Sequence, residues 1–176
     1  GRGKMLDNLR RSLLAPFALA TLAVSWLLPL PAAISGTLLV LAALAIPPLL
    51  PVLTSILPRR AGLRASDHLR TLAGDVRQAA AQIFFEIAFL PDHARRMLDA
   101  IVRTLVRLYR TRRRLLEWTT AAQSSGSPRL TLAGFARGMS GGVALGLGVA
   151  GVAVALAPAN WPLILPVAIL WLCAPA

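Results

Sequence analysis

Two long stretches of the chain carry no charge. From Ser12 to Pro58, and again from Gly138 to Ala176, there is no Lys, Arg, Asp, Glu or His. Each stretch is longer than one membrane crossing requires, since about 20 apolar residues rising ~1.5 Å each span a ~30 Å hydrocarbon layer. Pro29-Leu30-Pro31 divides the first, predicting helices over 13–30 and 35–57. Pro47, Pro48 and Pro51 fall inside the second of these. Each removes a backbone donor and so predicts a kink or broken turn, tolerable at depth where neighbouring helices cover it. Pro158-Ala159-Asn160 divides the second stretch, predicting a helix over 138–157 and another from Trp161 onward. Trp26 and Trp161 fall near outer turns, where aromatic belts form; apolar filling is the competing role.

The segment between these stretches changes period. Ser66 and Asp67 are N-cap candidates for a helix whose apolar face is Leu69, Leu72, Val76, Ala80, Ile83 and Ile87, at steps of three and four. Pro91 punctuates, and Asp92 is placed to cap a second helix with Leu98, Ile101, Leu105, Leu108, Leu115 and Trp118 as its apolar side. Ser124-Ser125-Gly126-Ser127-Pro128 is a loop with strong breaker chemistry. No strand-period run and no internal repeat is visible. The expected fold is an all-α membrane protein with four spans, the last cut short. Its parts are a basic cytoplasmic flank at 1–12, a transmembrane hairpin at 13–57, an amphipathic basic helical segment at 58–137, and a second hairpin at 138–176.

Composition sharpens this reading. The 176 residues are 56% hydrophobic and only 15% charged, with mean hydropathy +0.66, yet the net charge is +12. That charge divides as +3 on 1–11 and +9 on 59–137. A soluble domain interleaves charge with apolar residues, because every element needs a wet face, so an ordinary soluble fold is excluded. Basic residues flank the apolar stretches, and the two tight hairpins hold none. The positive-inside rule then predicts that the N-terminus, 58–137 and the C-terminus are cytoplasmic, in a multi-pass membrane protein. The first apolar run is too long for a signal peptide and lacks a cleavage pattern. Lone Cys173 permits no disulfide framework and no cysteine-rich zinc site, and reads as a small buried apolar side chain. The chain opens Gly1-Arg2-Gly3 and stops directly after an apolar run, which suggests a piece of a longer protein.

Candidate chemistry concentrates on the second amphipathic helix. Arg95, Arg96, Arg103, Arg107, Arg110, Arg112, Arg113 and Arg114 crowd into twenty residues. They fit a helix lying on anionic lipid or a docking surface for a larger cytoplasmic domain. Nucleic acid is disfavoured, because membrane hairpins bracket the segment and no recognition fold is visible. Gly134, Gly138, Gly142 and Gly146, spaced by four, line one helix face and point to close helix packing; a glycine-lined conduction path is the alternative. Gly141, Gly148 and Gly151 widen that surface. His68 and His93 each follow an Asp at a predicted helix start, which points to capping or exposure. Glu86 and Asp99 lie among arginines and suit ion pairing. No carboxylate falls in a predicted span, where a proton-coupled carrier would place one. No phosphate-cradling loop, nucleophile set or metal-ligand cluster is present, so no catalytic or metal-binding residue is assigned.

Three short stretches carry a resemblance. They are Lys4-Met5-Leu6-Asp7-Asn8-Leu9-Arg10-Arg11-Ser12-Leu13, Met97-Leu98-Asp99-Ala100-Ile101-Val102-Arg103-Thr104-Leu105, and Arg113-Arg114-Leu115-Leu116-Glu117-Trp118-Thr119-Thr120-Ala121-Ala122-Gln123. Together they resemble the membrane region of bacterial cyclic β-1,2-glucan synthases, between a glycosyltransferase domain and a glycoside-phosphorylase-like domain. The resemblance implies a parent enzyme that transfers glucose from UDP-glucose with a divalent metal. It also implies catalytic domains of that parent as partners, beside anionic lipids. The family's chemistry is not carried here: no Asp-x-Asp and no Gln-x-x-Arg-Trp occurs, and Arg114-Leu115-Leu116-Glu117-Trp118 is no equivalent. The expectation is an anchoring and docking fragment in which Arg103, Arg107, Arg110, Arg112, Arg113, Arg114 and Trp118 face lipid or the catalytic domains. The competing expectation is a non-enzymatic membrane scaffold or transporter subunit.

Overall fold

Proline and charge spacing set the helix boundaries at the N-terminal end. In the computed structural model, which describes residues 2–56, 65–111 and 132–174, helix α1 runs Arg2–Trp26 and α2 runs Leu30–Ser55. The basic flank is therefore part of α1 rather than a separate lead-in. Asp7 pairs with Arg10 at 3.4 Å and with Arg11 at 2.8 Å, the spacings of neighbours on one helix face. The helix stops at Trp26 rather than at 30, because Pro29 restricts the residue before it. Then α2 starts at Leu30 rather than at 35, because Pro31 suits a first helical turn. Pro47, Pro48 and Pro51 sit inside α2, which runs on as helix through all three. Toward the end of α2, Thr54 and Ser55 hydroxyls donate to the carbonyls of Pro51 and Val52 at 2.8 and 2.9 Å.

The amphipathic segment forms α3 (Ala65–Ala88) and α4 (Leu90–Val106), the latter continuing through a wider π turn at Arg107–Thr111. Leu132–Leu156 is α5, a 3-10 turn covers Pro158–Asn160, and Trp161–Cys173 is α6. Among the described residues there is no strand. Among the described residues, two helices are long and apolar enough to cross a membrane: Leu30–Ser55, and Ala136–Leu156 within α5. The other two expected spans differ. Helix α1 carries Arg10 and Arg11 within its N-terminal half, and α6 has 13 residues, roughly 20 Å of helix against a ~30 Å layer.

The amphipathic pair does not lie apart from the apolar helices. Helix α4 packs between α1 and α5, while α3 packs against α2 and α6. Leu90 and Ala94 belong to the same buried cluster as Leu19, Leu22, Trp26, Val40, Leu44, Ala153, Ile164 and Trp171. Consequently the inward face of α3 is Leu72, Ala79, Ile83, Ile87 and Ala88, while the expected Leu69, Val76 and Ala80 are exposed. The face is rotated because α3 has two partners, α2 and α6, and small Ala79 permits close approach.

Trp26 is a second correction. It is 0% exposed rather than a belt residue, and its indole N–H donates to Thr37 Oγ1 at 3.1 Å. Thr37 Oγ1 in turn donates to the Ala33 carbonyl at 2.8 Å. Trp171, also 0% exposed, has its ring centre 5.7 Å from that of Trp26 and donates to the Ile87 carbonyl at 2.9 Å. Trp161 is exposed. Asn160 Nδ2 donates to the carbonyls of Trp26 and Leu28, both at 2.8 Å, tying the two interhelix turns together. The N–H donors of Trp26, Asn160 and Trp171 each have a specific acceptor, as a low-dielectric interior demands, whereas the buried Asn160 Oδ1 has no donor among the described residues.

Candidate docking surface and adjoining cleft

Helix α4 begins where α3 ends, with Phe89 alone between them. Asp92 does not cap it. Pro91, whose ring presets a helical φ, lies in the first turn, so the helix starts at Leu90. Asp92 falls inside that turn, near the positive end of the helix dipole. Its carboxylate is buried and takes hydrogen bonds from Arg95 Nη2 at 3.2 Å and from Arg96 Nε. Four of the first five residues, Leu90, Pro91, Asp92 and Ala94, are buried.

Glycines on α5 make room for this turn. A methyl group on Gly142 would fall 2.5 Å from Asp92 Cα, and one on Gly146 would fall 2.8 Å from Pro91 Cγ and from Trp171 Cε3. Gly141 lies under the Arg95 side chain, with 3.2 Å between its would-be methyl and Nε. Gly138, Gly148 and Gly151 have nothing within 4 Å of a would-be methyl, and Gly134 is exposed.

Beyond its first turns α4 is uncovered among the described residues. Val102, Leu105, Val106, Leu108 and Tyr109 are exposed, side by side with Arg103 and Arg110. Arg103 also meets Asp99 at 2.8 Å in an exposed pair, worth at most a few tenths of a kcal/mol, about 0.3–0.5. Arg107 is half-buried. Thus Arg103, Arg107 and Arg110 share the outer part of one helix. Arg112, Arg113, Arg114 and Trp118 lie outside the described residues, as does the Ser124–Pro128 loop; the Ser66 and Asp67 side chains do too.

Sequence reasoning missed a cleft beside this helix. A cavity of about 500 Å3 is lined by Pro47, Pro48 and Pro51 on one wall and by Gln82, Phe85, Glu86, Phe89 and His93 on the other. A smaller cleft of about 220 Å3 reaches Glu86 and His93 from the side of Arg11, Leu14 and Met97. Burial pushes the Glu86 carboxyl above the usual carboxylate range, with His93 opposing the shift. The available signal was the i, i+3, i+4 spacing of Gln82, Phe85, Glu86 and Phe89, which reads as helix surface until α2 is known to lie opposite. Among the described residues no three His, Cys, Asp or Glu side chains gather as a metal site.

No family model matches the chain. It is 38% identical over 179 aligned positions to the cyclic beta-(1,2)-glucan synthase NdvB of Rhizobium meliloti; the match covers 100% of the chain and 6% of that protein. The chain thus spans a small part of the relative's length.

Proposed function

Because this chain belongs, over its whole length, with one segment of the cyclic β-1,2-glucan synthases, we propose that it anchors such an enzyme in the bacterial inner membrane and docks its catalytic domains there. The parent activity in this reading is polymerisation of glucose from UDP-glucose, with a divalent metal, at the cytoplasmic face. Helix α2 and the apolar part of α5 cross the bilayer, with α1 and α6 completing two hairpins. The N-terminus and 58–137 lie on the cytoplasmic side, where their arginines meet anionic headgroups.

The observation that carries the docking role is the contrast within α4. Its first turns are locked between α1 and α5, and its outer turns expose apolar and basic side chains together. A helix held at one end and bare at the other offers a rigid platform. Its composition suits both a headgroup boundary and the underside of a catalytic domain. Arg112, Arg113, Arg114 and Trp118 extend the same basic sequence and are assigned to the same role.

Replacing Arg103, Arg107 and Arg110 together with Gln in the synthase tests this. The expected outcome is lower glucan synthesis, with the protein still retained in membranes and helical. Unchanged synthesis overturns the docking role. Topology is checked separately by an Arg110→Cys variant in a Cys173→Ser background. Labelling by a membrane-impermeant reagent is expected only after the cytoplasmic face is opened; labelling from the periplasm overturns the orientation.

A further inference from the structure

We propose that the cleft between α2 and the α3–α4 turn binds a neutral glucan chain, seating a sugar ring on Phe85 and taking its hydroxyls on Gln82, Glu86 and His93. This rests on the reading of the chain as part of a glucan synthase, and goes beyond it by giving the membrane segment its own contact with the polymer. The cavity of about 500 Å3 lies in the range of small-molecule sites, roughly 300–1,000 Å3. One wall, from Pro47 to Pro51, is stiff and apolar. The other wall presents an amide, a carboxyl and an imidazole along one continuous face.

The chemistry selects among ligands. No Arg or Lys lines the cavity itself, and a carboxyl group stands in it; Arg11 and Arg96 line the adjoining clefts that share His93, so an anionic headgroup or phosphate would have to sit outside this cavity to meet a counter-charge. Burial disfavours the ionised form of Glu86, which counts against a cation. An acyl chain would leave three hydrogen-bonding side chains unsatisfied. A sugar uses all of these features. Its hydroxyls donate to a carboxyl or carbonyl and accept from an amide or imidazole, and its C–H face packs on an aromatic ring. Phe85 is exposed and stacks on Phe89 with centres 5.6 Å apart and planes 13° apart, which fixes its ring as a platform.

The test is saturation-transfer NMR on the full 176-residue chain in lipid nanodiscs, with a linear β-1,2-linked glucotetraose and the cyclic β-1,2-glucan as probes. Transfer to the glucan is expected in the unmodified chain. Phe85→Ala and Gln82→Ala, both at exposed positions, are expected to weaken binding at least tenfold. Leu69→Ala, at an exposed position of α3 outside the cavity, is expected to leave binding unchanged. Equal transfer in all variants places the glucan elsewhere and overturns the proposal. Displacement of the glucan as anionic lipid in the disc is raised also overturns it, in favour of a headgroup. Retention in the bilayer is read on the same samples. A chain that stays in the disc and gives no transfer sinks the cleft assignment and leaves the anchoring role standing.

Discussion

The two ends of α4 are alike in composition and opposite in fate. Leu90–Ala94 and Val102–Arg110 both mix apolar residues with charged ones. Yet the first is mostly buried among three other helices, and the second is largely exposed. What differs is the partner surface. Opposite the first turn, Gly142 and Gly146 leave space for Pro91 and Asp92, and both oxygens of Asp92 are bonded to neighbouring guanidinium groups, so the buried carboxylate is not left unpaired. Opposite the outer turns no described helix supplies such a face. Burial of an amphipathic helix is decided by the smoothness of what it meets and by local charge pairing, not by how basic it is.

The harshest way to break this contrast is to empty the core at the buried end. Trp171 is fully enclosed against Trp26 and gives its N–H to the Ile87 carbonyl, joining α6 to the end of α3. Trp171→Ala is expected to cost about 3–5 kcal/mol of stability, with an orphaned carbonyl adding to the lost packing. Leu98→Ala, on the exposed side of α4, is expected to fall within about 0.5 kcal/mol of the parent. Denaturant titration in mild detergent, followed by circular dichroism, measures both. Equal losses at the two positions would mean that the outer half of α4 is covered after all.

A finer test uses the glycines. At Gly142 an added methyl meets Asp92 backbone atoms, Cα at 2.5 Å and N at 2.9 Å, which do not swing aside. Gly142→Ala is therefore expected to destabilise by about 1–3 kcal/mol. At Gly138 the same methyl meets open space, so Gly138→Ala is expected to stabilise, by up to about 1 kcal/mol, through helix propensity alone. Opposite signs from one substitution, four residues apart on one helix, would locate the edge of the contact. The same sign at both would remove the close approach of α4 to α5 as its cause.

These contrasts also mark what was legible in the sequence. The charge-free stretches and their proline breaks announce the paired apolar helices, because charge and hydropathy are local properties. The spacing of the four glycines announces a smooth face, yet says nothing of which glycines touch anything. That distinction depends on where Asp92 and Pro91 arrive from fifty residues away. Asp92 looks like a cap because capping is a local pattern; its true partners are local too, but Pro91 moves the helix start back and turns the carboxylate toward Arg95 and Arg96. Trp26 and Asn160 look like surface residues at turns, and are buried because the two interhelix turns meet. The cleft at Glu86 was invisible for the same reason: one of its walls comes from α2, and no local period reports that pairing.

The smallest expected effect concerns that cleft. Burial raises the Glu86 carboxyl above its ordinary range, while the nearby His93 works against the rise. A carboxyl group whose folded value lies above its unfolded value holds its proton more firmly when folded. The folded chain then binds more protons than the unfolded one between the two values, and stability falls as pH rises through that interval. Below the ordinary carboxylate range the group is protonated in both states and the penalty is absent; above the raised folded value it is fully present. Glu86→Gln keeps the shape and removes the titration. Relative to this variant, the parent chain is expected to lose stability as pH is raised from the acid side of the carboxylate range toward neutrality, and to hold a constant difference above it. Midpoints of detergent-phase unfolding for the two chains, taken across that range, check the sign. A difference that grows as pH falls would place the charged form, not the neutral one, as the favoured state, and the Glu86 wall of the cleft would then have to be read as a site that welcomes a cation.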